Sequence, residues 1–225
     1  MHTQLVAILP CETGLEPEAL EMALERALAP CDCWLELPRG RRYVTDERLA
    51  ELAARTRLLG APLADPSDDL AAAGWFSGVR FRRDRQGRPY YVGQDNPQGR
   101  WDSWEIGGRF GGFFIPREGA GPSFAVATGA DDDDLDEGCD ALRVRDLDWP
   151  RMAERRERTG SALTTGSLAL GPYLLSDGEW LEVVCPWEIW THRPAFTRDE
   201  WDRLWRERLD AAGADAILVN VDFHW

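Results

Sequence analysis

The segment that most constrains the fold of this sequence is residues 96–114, which read NPQGRWDSWEIGGRFGGFF. Two pairs of glycine flank Arg109, and two tryptophans and two carboxylates precede them. Glycine accepts positive φ and lets neighbouring backbone approach closely. We therefore expect the chain to turn sharply here and to bring backbone amides near polar side chains. The four glycines are Gly107, Gly108, Gly111 and Gly112.

Four different segments along the sequence together form a pattern: the Asn-Pro, Trp-Asp and Trp-Glu-Ile-Gly-Gly-Arg run of 96–109, RDLDW at 145–149, SDGEW at 176–180 and VDFH at 221–224. This pattern resembles a group of bacterial and phage proteins that carry an NP-x3-WD-x-W-x-IGGR(W/F) segment and have no established activity. The resemblance covers most of the chain, so it implies one continuous unit and no particular reaction. Phe110 stands where the group usually has tryptophan.

Length and composition predict a globular protein. The chain has 225 residues and 44% hydrophobic content, which suits a single domain over 1–225. Its 40 acidic residues exceed its 26 basic ones, giving a net charge of −14. This charge argues against nucleic acid and anionic membranes as general partners. Every basic residue is arginine, which excludes a lysine Schiff base and a phosphate-binding loop of the GK[ST] type.

The sequence predicts a cytoplasmic protein with free thiols. No apolar run approaches the roughly 20 residues of a membrane-spanning helix. The cysteines are odd in number and scattered, which is typical of a reducing compartment. They are Cys11, Cys31, Cys33, Cys139 and Cys185.

Hydrophobic periodicity predicts an α+β fold, in which about three helices cover one face of a mixed or largely antiparallel sheet. Predicted strands and hairpins are 4–9, 79–92, 123–128, 141–144, 173–184 and 216–224. Predicted helices begin near Pro17, Thr45, Asp148 and Thr197. Predicted loops are the polar stretch 61–74, the acidic surface loop 130–138 and the aromatic stretch 186–196.

The last strand carries a candidate catalytic set. Strand alternation places Asn220, Asp222 and His224 on one face, where a substrate lying along the strand could meet all three. A histidine beside a carboxylate can act as a general base, so His224 would be the base and Asp222 would orient it. The alternative is a half-solvated strand with an ordinary polar face.

Asp102 and Glu105 are supplementary catalytic candidates. In an extended segment they point to opposite faces, and only a bulge or a helical turn would bring them together. Trp101 and Trp104 could stack on a ligand, or they could pack on the sheet.

Arg109 is the candidate anchor for an anionic ligand. Gly107 and Gly108 would let backbone amides approach that ligand closely. The alternative is an internal ion pair with Asp102, Asp146 or Asp148. The site would bind an anionic and nucleotide-like small molecule, with hydrolysis of that molecule as a further option. No cofactor can be named, and no metal site is expected because the acidic run lacks the calcium-loop spacing.

A different class of function stays open from the sequence. The chain could be a non-enzymatic interaction protein, such as an immunity or phage-linked accessory factor that binds a protein partner through its acidic surface. Internal pairing of Arg109 and the lack of a concave pocket near Gly107 would favour this alternative.

Overall fold

The computed structural model describes residues 2–96, 98–125, 138–159, 170–182 and 196–224. The chain divides into two compact units, one built from Met1–Asp32 with Arg100–Trp225 and the other from Cys33–Gly99. Helices and sheets in both units confirm the α+β class. The expectation of one domain over 1–225 stays a prediction.

Nine strands and five α-helices lie in the described residues. The strands are β1 (His2–Leu9), β2 (Gly40–Tyr43), β3 (Arg82–Arg83), β4 (Pro89–Gly93), β5 (Ser103–Ile106), β6 (Ala141–Arg143), β7 (Tyr173–Ser176), β8 (Glu179–Glu182) and β9 (Ile217–His224). The helices are α1 (Pro17–Leu28), α2 (Asp46–Leu58), α3 (Asp69–Ser77), α4 (Trp149–Thr159) and α5 (Arg198–Ala212). None of these helices has the length and apolar character that a membrane span requires.

The larger unit is built on a six-stranded mixed sheet in the order β5-β9-β1-β7-β8. Strand β6 also pairs with β9, beyond the end of β5. Strands β1 and β7 run parallel, and the other described pairs are antiparallel. The long strands β1 and β9 lie side by side at the centre, so their register decides which side chains meet.

Helices cover both faces of this sheet. Helix α1 buries Leu20, Leu24 and Leu28 against the face that carries Val219 and Val221. The opposite face carries residues such as Val6 and Leu218, and it packs against α4 and α5 through Met152, Trp201 and Trp205. The expectation that helices cover one face is therefore wrong. Its physical reason is visible in β1, whose apolar run Leu5 to Leu9 is buried on both faces.

The smaller unit is a three-stranded antiparallel sheet, β2-β4-β3, with a small apolar core that includes residues of α2 and α3. Thr45 caps α2 as predicted, because its side chain accepts a hydrogen bond from the Arg48 amide. The predicted loop 61–74 is wrong from Asp69 onward, where α3 begins. Asp68 caps that helix by accepting hydrogen bonds from the amides of Leu70 and Ala71.

The local turn and cap predictions are confirmed in the larger unit. Asp177 and Gly178 form the tight turn between β7 and β8, both with positive φ. Thr197 and Glu200 form the predicted capping box of α5. The predicted acidic loop lies outside the described residues except for Gly138, and the aromatic stretch does so except for Phe196.

Candidate functional site

One end of the central sheet is polar. Strand β9 pairs with β1 so that Asp222 lies opposite Gln4 and His224 lies opposite His2. On its other edge β9 pairs with β5, which places Glu105 opposite Asp222 and Ser103 opposite His224. Directly opposed residues in an antiparallel pair share a face. Three strands therefore bring their polar side chains to one face at one end of the sheet.

The glycine turn passes between β5 and β6, which both pair with β9. At this gap the Gly107 amide donates to the Asn220 carbonyl at 2.9 Å, and the Asn220 amide donates to the Asp140 carbonyl at 2.8 Å. Gly107 and Gly108 have φ values of 71° and 50°. A Cβ atom on Gly108 would lie 2.5 Å from the Asp222 Cβ. Glycine is therefore required here for both conformation and space.

Asp222 is the most enclosed carboxylate that lines the cavity, with only 1% of its surface exposed. Its two oxygens lie 3.0 and 3.1 Å from Nδ1 of His2. The backbone amide of Arg109 donates to Oδ2 at 3.0 Å. A buried carboxylate requires such donors, and the glycine turn supplies one of them.

His224 pairs with Asp102, whose Oδ1 lies 2.8 Å from its Nδ1. This hydrogen bond lowers the pKa of Asp102 below its usual value. The expected pairing of His224 with Asp222 is therefore wrong. Asp222 and His224 are two residues apart on an extended strand, which holds their Cα atoms roughly 6.6 Å apart, whereas β1 and β5 place a closer partner beside each.

The two Asp–His pairs fix the tautomers of both imidazoles. An ionised carboxylate only accepts hydrogen bonds, so Nδ1 of His2 and of His224 must each be the donor. The Nε2 atom of each neutral ring then carries a free lone pair. Neither Nε2 has a hydrogen-bonding partner among the described residues.

Both imidazoles line one open cavity of about 230 Å³. The rings contact each other edge to face, with centroids 5.2 Å apart. The other lining residues are Ser103, Trp104, Glu105 and Asp222. Trp104 lies opposite Phe223, and its side chain packs with the apolar α1 face, as that of Trp101 does. This volume holds a phosphate-sized or carboxylate-sized group, while a larger ligand would extend into solvent.

The carboxylates of Asp102 and Glu105 do not diverge as an extended segment would make them. Asp102 lies in a bend just before β5, so its side chain reaches His224 on the face that Glu105 also occupies. Glu105 is exposed, and no hydrogen bond or ion pair joins its side chain to any described residue. It is thus a free acceptor at the cavity.

Arg109 is exposed, and its guanidinium makes no ion pair within the described part of the chain. The internal pairing with Asp102, Asp146 or Asp148 is absent from those residues, since the described partner of Asp146 is Arg117 at 3.6 Å. Arg109 is not among the residues that line the cavity, but its backbone amide binds Asp222, which is.

Two other candidates are engaged in internal contacts. The Asn220 side chain is fully buried, donates to Asp140 at 3.0 Å and to the Phe110 carbonyl at 2.7 Å, and accepts from Gln4 at 2.9 Å. The Trp101 indole donates to the Leu28 carbonyl and packs with the α1 face. Both positions therefore hold the fold around the site, and neither lines the cavity.

His2 is the residue that sequence reasoning missed. It lies 222 positions from His224, and only the register of β1 against β9 brings the two together. One signal was present: His2 and Gln4 are two residues apart, so they share one face at the start of a strand that is apolar from Leu5 onward.

The described residues contain no cluster of three or more His, Cys, Asp or Glu side chains that could hold a metal ion. No model of a known protein family, no curated protein and no solved structure matches this chain. The resemblance to the bacterial and phage group stays a prediction, and any functional proposal has to depend on the geometry of the site.

Proposed function

We propose that the chain binds an anionic, nucleotide-like small molecule at the cavity between His2 and His224 and hydrolyses an ester bond in it. The observation that carries this proposal is the pair of adjacent imidazoles, each oriented through Nδ1 by its own aspartate. Such orientation is what a general base or acid requires, because it presents Nε2 to the substrate.

The reaction would need one imidazole as general base and the other as general acid. The Nε2 atom of the neutral ring takes a proton from water, and the water oxygen forms a bond to the phosphorus or carbonyl carbon. The bond to the leaving oxygen breaks, and the second ring, as imidazolium, donates its Nε2 proton to that oxygen. Asp102 and Asp222 stabilise the protonated forms of the rings.

Anion binding draws support from Arg109 and from the size of the cavity. A guanidinium without an internal carboxylate partner is available to a phosphate or carboxylate, which it can bind in a bidentate manner. The unpaired guanidinium and the presence of a cavity favour this function over the interaction protein.

The test is a thermal-shift screen with inorganic phosphate, pyrophosphate, ribonucleoside monophosphates and triphosphates, followed by calorimetry and a phosphate-release assay on the tightest binder. Binding should weaken about tenfold or more in Arg109→Ala, the loss of a charge-assisted hydrogen-bonded pair. Arg206→Ala, which removes an exposed arginine from α5, should bind like the wild type. Equal binding by both variants, or no binding by the wild type, would reject the proposal.

A further inference from the structure

The charges of the chain are divided unevenly between its two units. The unit Cys33–Gly99 has eleven arginines and nine acidic residues, whereas the rest of the chain has fifteen arginines and thirty-one acidic residues. The expectation that nucleic acid is not a partner depends on the charge of the whole chain. That argument does not apply to the smaller unit, which is weakly basic.

The basic side chains meet aromatic ones on the outer face of the three-stranded sheet. Register places five residues on this face: Arg41, Tyr43, Arg82, Tyr90 and Val92. The opposite face turns Tyr91 toward Phe81 and the small core with α2 and α3. None of the five outer residues is acidic, and Tyr43 and Val92 are each 44% exposed.

Guanidinium groups are already stacked on the rings of this face. The Arg41 guanidinium carbon lies 4.8 Å from the centre of the Tyr90 ring, and that of Arg88 lies 4.6 Å from the centre of the Tyr43 ring. Stacking on an aromatic ring orients the guanidinium and leaves its N–H edge free for an acceptor.

Two of the cations make no ion pair. Arg41 and Arg82 are exposed, and neither lies within ion-pair distance of a described carboxylate. A hydrogen bond with the Tyr43 side chain, and more weakly the Asp84 carboxylate, raise the pKa of Arg41. Arg88 pairs with Asp84. The outer face thus combines unpaired positive charge, stacked guanidinium groups and a half-exposed ring, all on a short antiparallel sheet.

We propose that this outer face binds single-stranded nucleic acid. Phosphates would take the places of the missing counter-ions at Arg41 and Arg82, and a base would stack on Tyr43 or on a stacked guanidinium. An acidic polypeptide could meet the same charges, but it would make little use of the aromatic surface. The rings therefore favour nucleic acid.

The experiment measures fluorescence anisotropy of a short fluorescein-labelled oligothymidylate titrated with the full chain. We expect binding that weakens as salt rises, with a log–log slope of about −1.4 if two phosphates are contacted. Tyr43→Leu, which keeps an apolar side chain on the strand, should weaken binding about tenfold because it removes the stacking surface. Arg41→Gln should weaken binding and make the salt slope shallower.

Matched controls test whether binding of the oligonucleotide depends on this face and not on the overall charge of the chain or on the candidate hydrolytic site. Arg206→Gln removes one arginine from the larger unit and should leave binding of the oligonucleotide unchanged. His2→Gln with His224→Gln should do the same, so failure of one proposal does not decide the other. Circular dichroism melting of each variant verifies that it is folded.

Three results would overturn the proposal: no binding of the oligonucleotide by the wild type, unchanged binding by Tyr43→Leu, or displacement of the oligonucleotide by polyglutamate as effectively as by unlabelled oligothymidylate. The last result would identify an acidic polypeptide as the better occupant of the face.

Discussion

The two ends of one sheet face differ sharply in the larger unit. At one end Val6 and Leu218 pack in one buried apolar cluster with Trp201 and Trp205. A few residues along the same strand, Asp222 and its neighbours lie under the glycine turn and beside an open cavity. The strand alternation is the same at both ends, and only the residue types and the covering element change.

This difference has a consequence for stability. Burying an aromatic side chain stabilises a fold, whereas a buried carboxylate or amide costs free energy unless every polar atom finds a partner. The polar end buries Asp140, Asn220 and Asp222, and side chains and amides of β1 and the glycine turn provide their partners. The polar end therefore depends on complete hydrogen bonding, whereas the apolar end depends on packing.

The largest effect should come from the apolar end. Trp205 is fully buried in that core, so Trp205→Ala should lower the free energy of unfolding by about 3–5 kcal/mol. Urea denaturation of the wild type and the variant gives the value. A loss below about 1 kcal/mol would mean that α5 is not an integral part of the core.

The glycine turn should show the next largest effect. In Gly108→Ala the new Cβ would meet Asp222 at 2.5 Å in a positive-φ backbone, and we expect a loss of about 2–3 kcal/mol. Gly119→Ala is the matched control, because Gly119 also has positive φ but no atom lies within 4 Å of its Cβ position. Its loss should be about 1 kcal/mol, and equal losses would contradict the close approach to Asp222.

A smaller, pH-dependent effect is expected at Asp102. Its pKa is lowered in the folded chain by the hydrogen bond with His224. The resulting stabilisation is present above the pKa of the unfolded chain and is lost as pH falls through the lower, folded value, below about pH 4. Because Asp102 is partly exposed, the contribution should be at most about 0.5–1 kcal/mol.

Denaturation curves of the wild type and Asp102→Asn at neutral pH and near pH 2 measure this difference. The two proteins should differ in stability at neutral pH and converge in acid. A gap that widens toward acid would show that the Asp102 carboxylate does not have a lowered pKa.

The smallest effect on stability should be that of Arg109→Ala. Since Arg109 has no ion-pair partner in the described residues, the free energy of unfolding should change by no more than about 0.5 kcal/mol. A loss of about 3–5 kcal/mol, the cost of leaving a buried carboxylate without its partner, would make Arg109 a structural residue and remove the proposed anion anchor.

Local signals in the sequence predict much of the fold. The alternation of β9, the Asp177-Gly178 turn and the capping box at Thr197 depend on neighbouring residues, so each could be recognised without a structure. Helix α3 also carries a local signal, an Asp68 cap ahead of an alanine run, which the polar composition of the preceding residues hid.

The candidate site could be predicted only in part. Asp222, His224, Asp102 and Glu105 were recognisable from residue type and spacing, but their pairing was not. The pairing depends on the register of three strands that are distant in sequence. It also depends on a bend at Asp102, which places this side chain on the face that regular strand alternation would not give it. His2 could be found only from that register.

The central claim is that the polar residues at one end of the sheet form a hydrolytic site and do not serve the fold alone. The direct test is the rate of phosphate release from the tightest-binding nucleotide of the screen by the wild type, compared with His2→Gln, His224→Gln and the double variant. The account predicts that each single variant loses activity about 100-fold or more, the usual share of general acid–base catalysis, while its melting temperature stays near that of the wild type. Full activity in the double variant would contradict it.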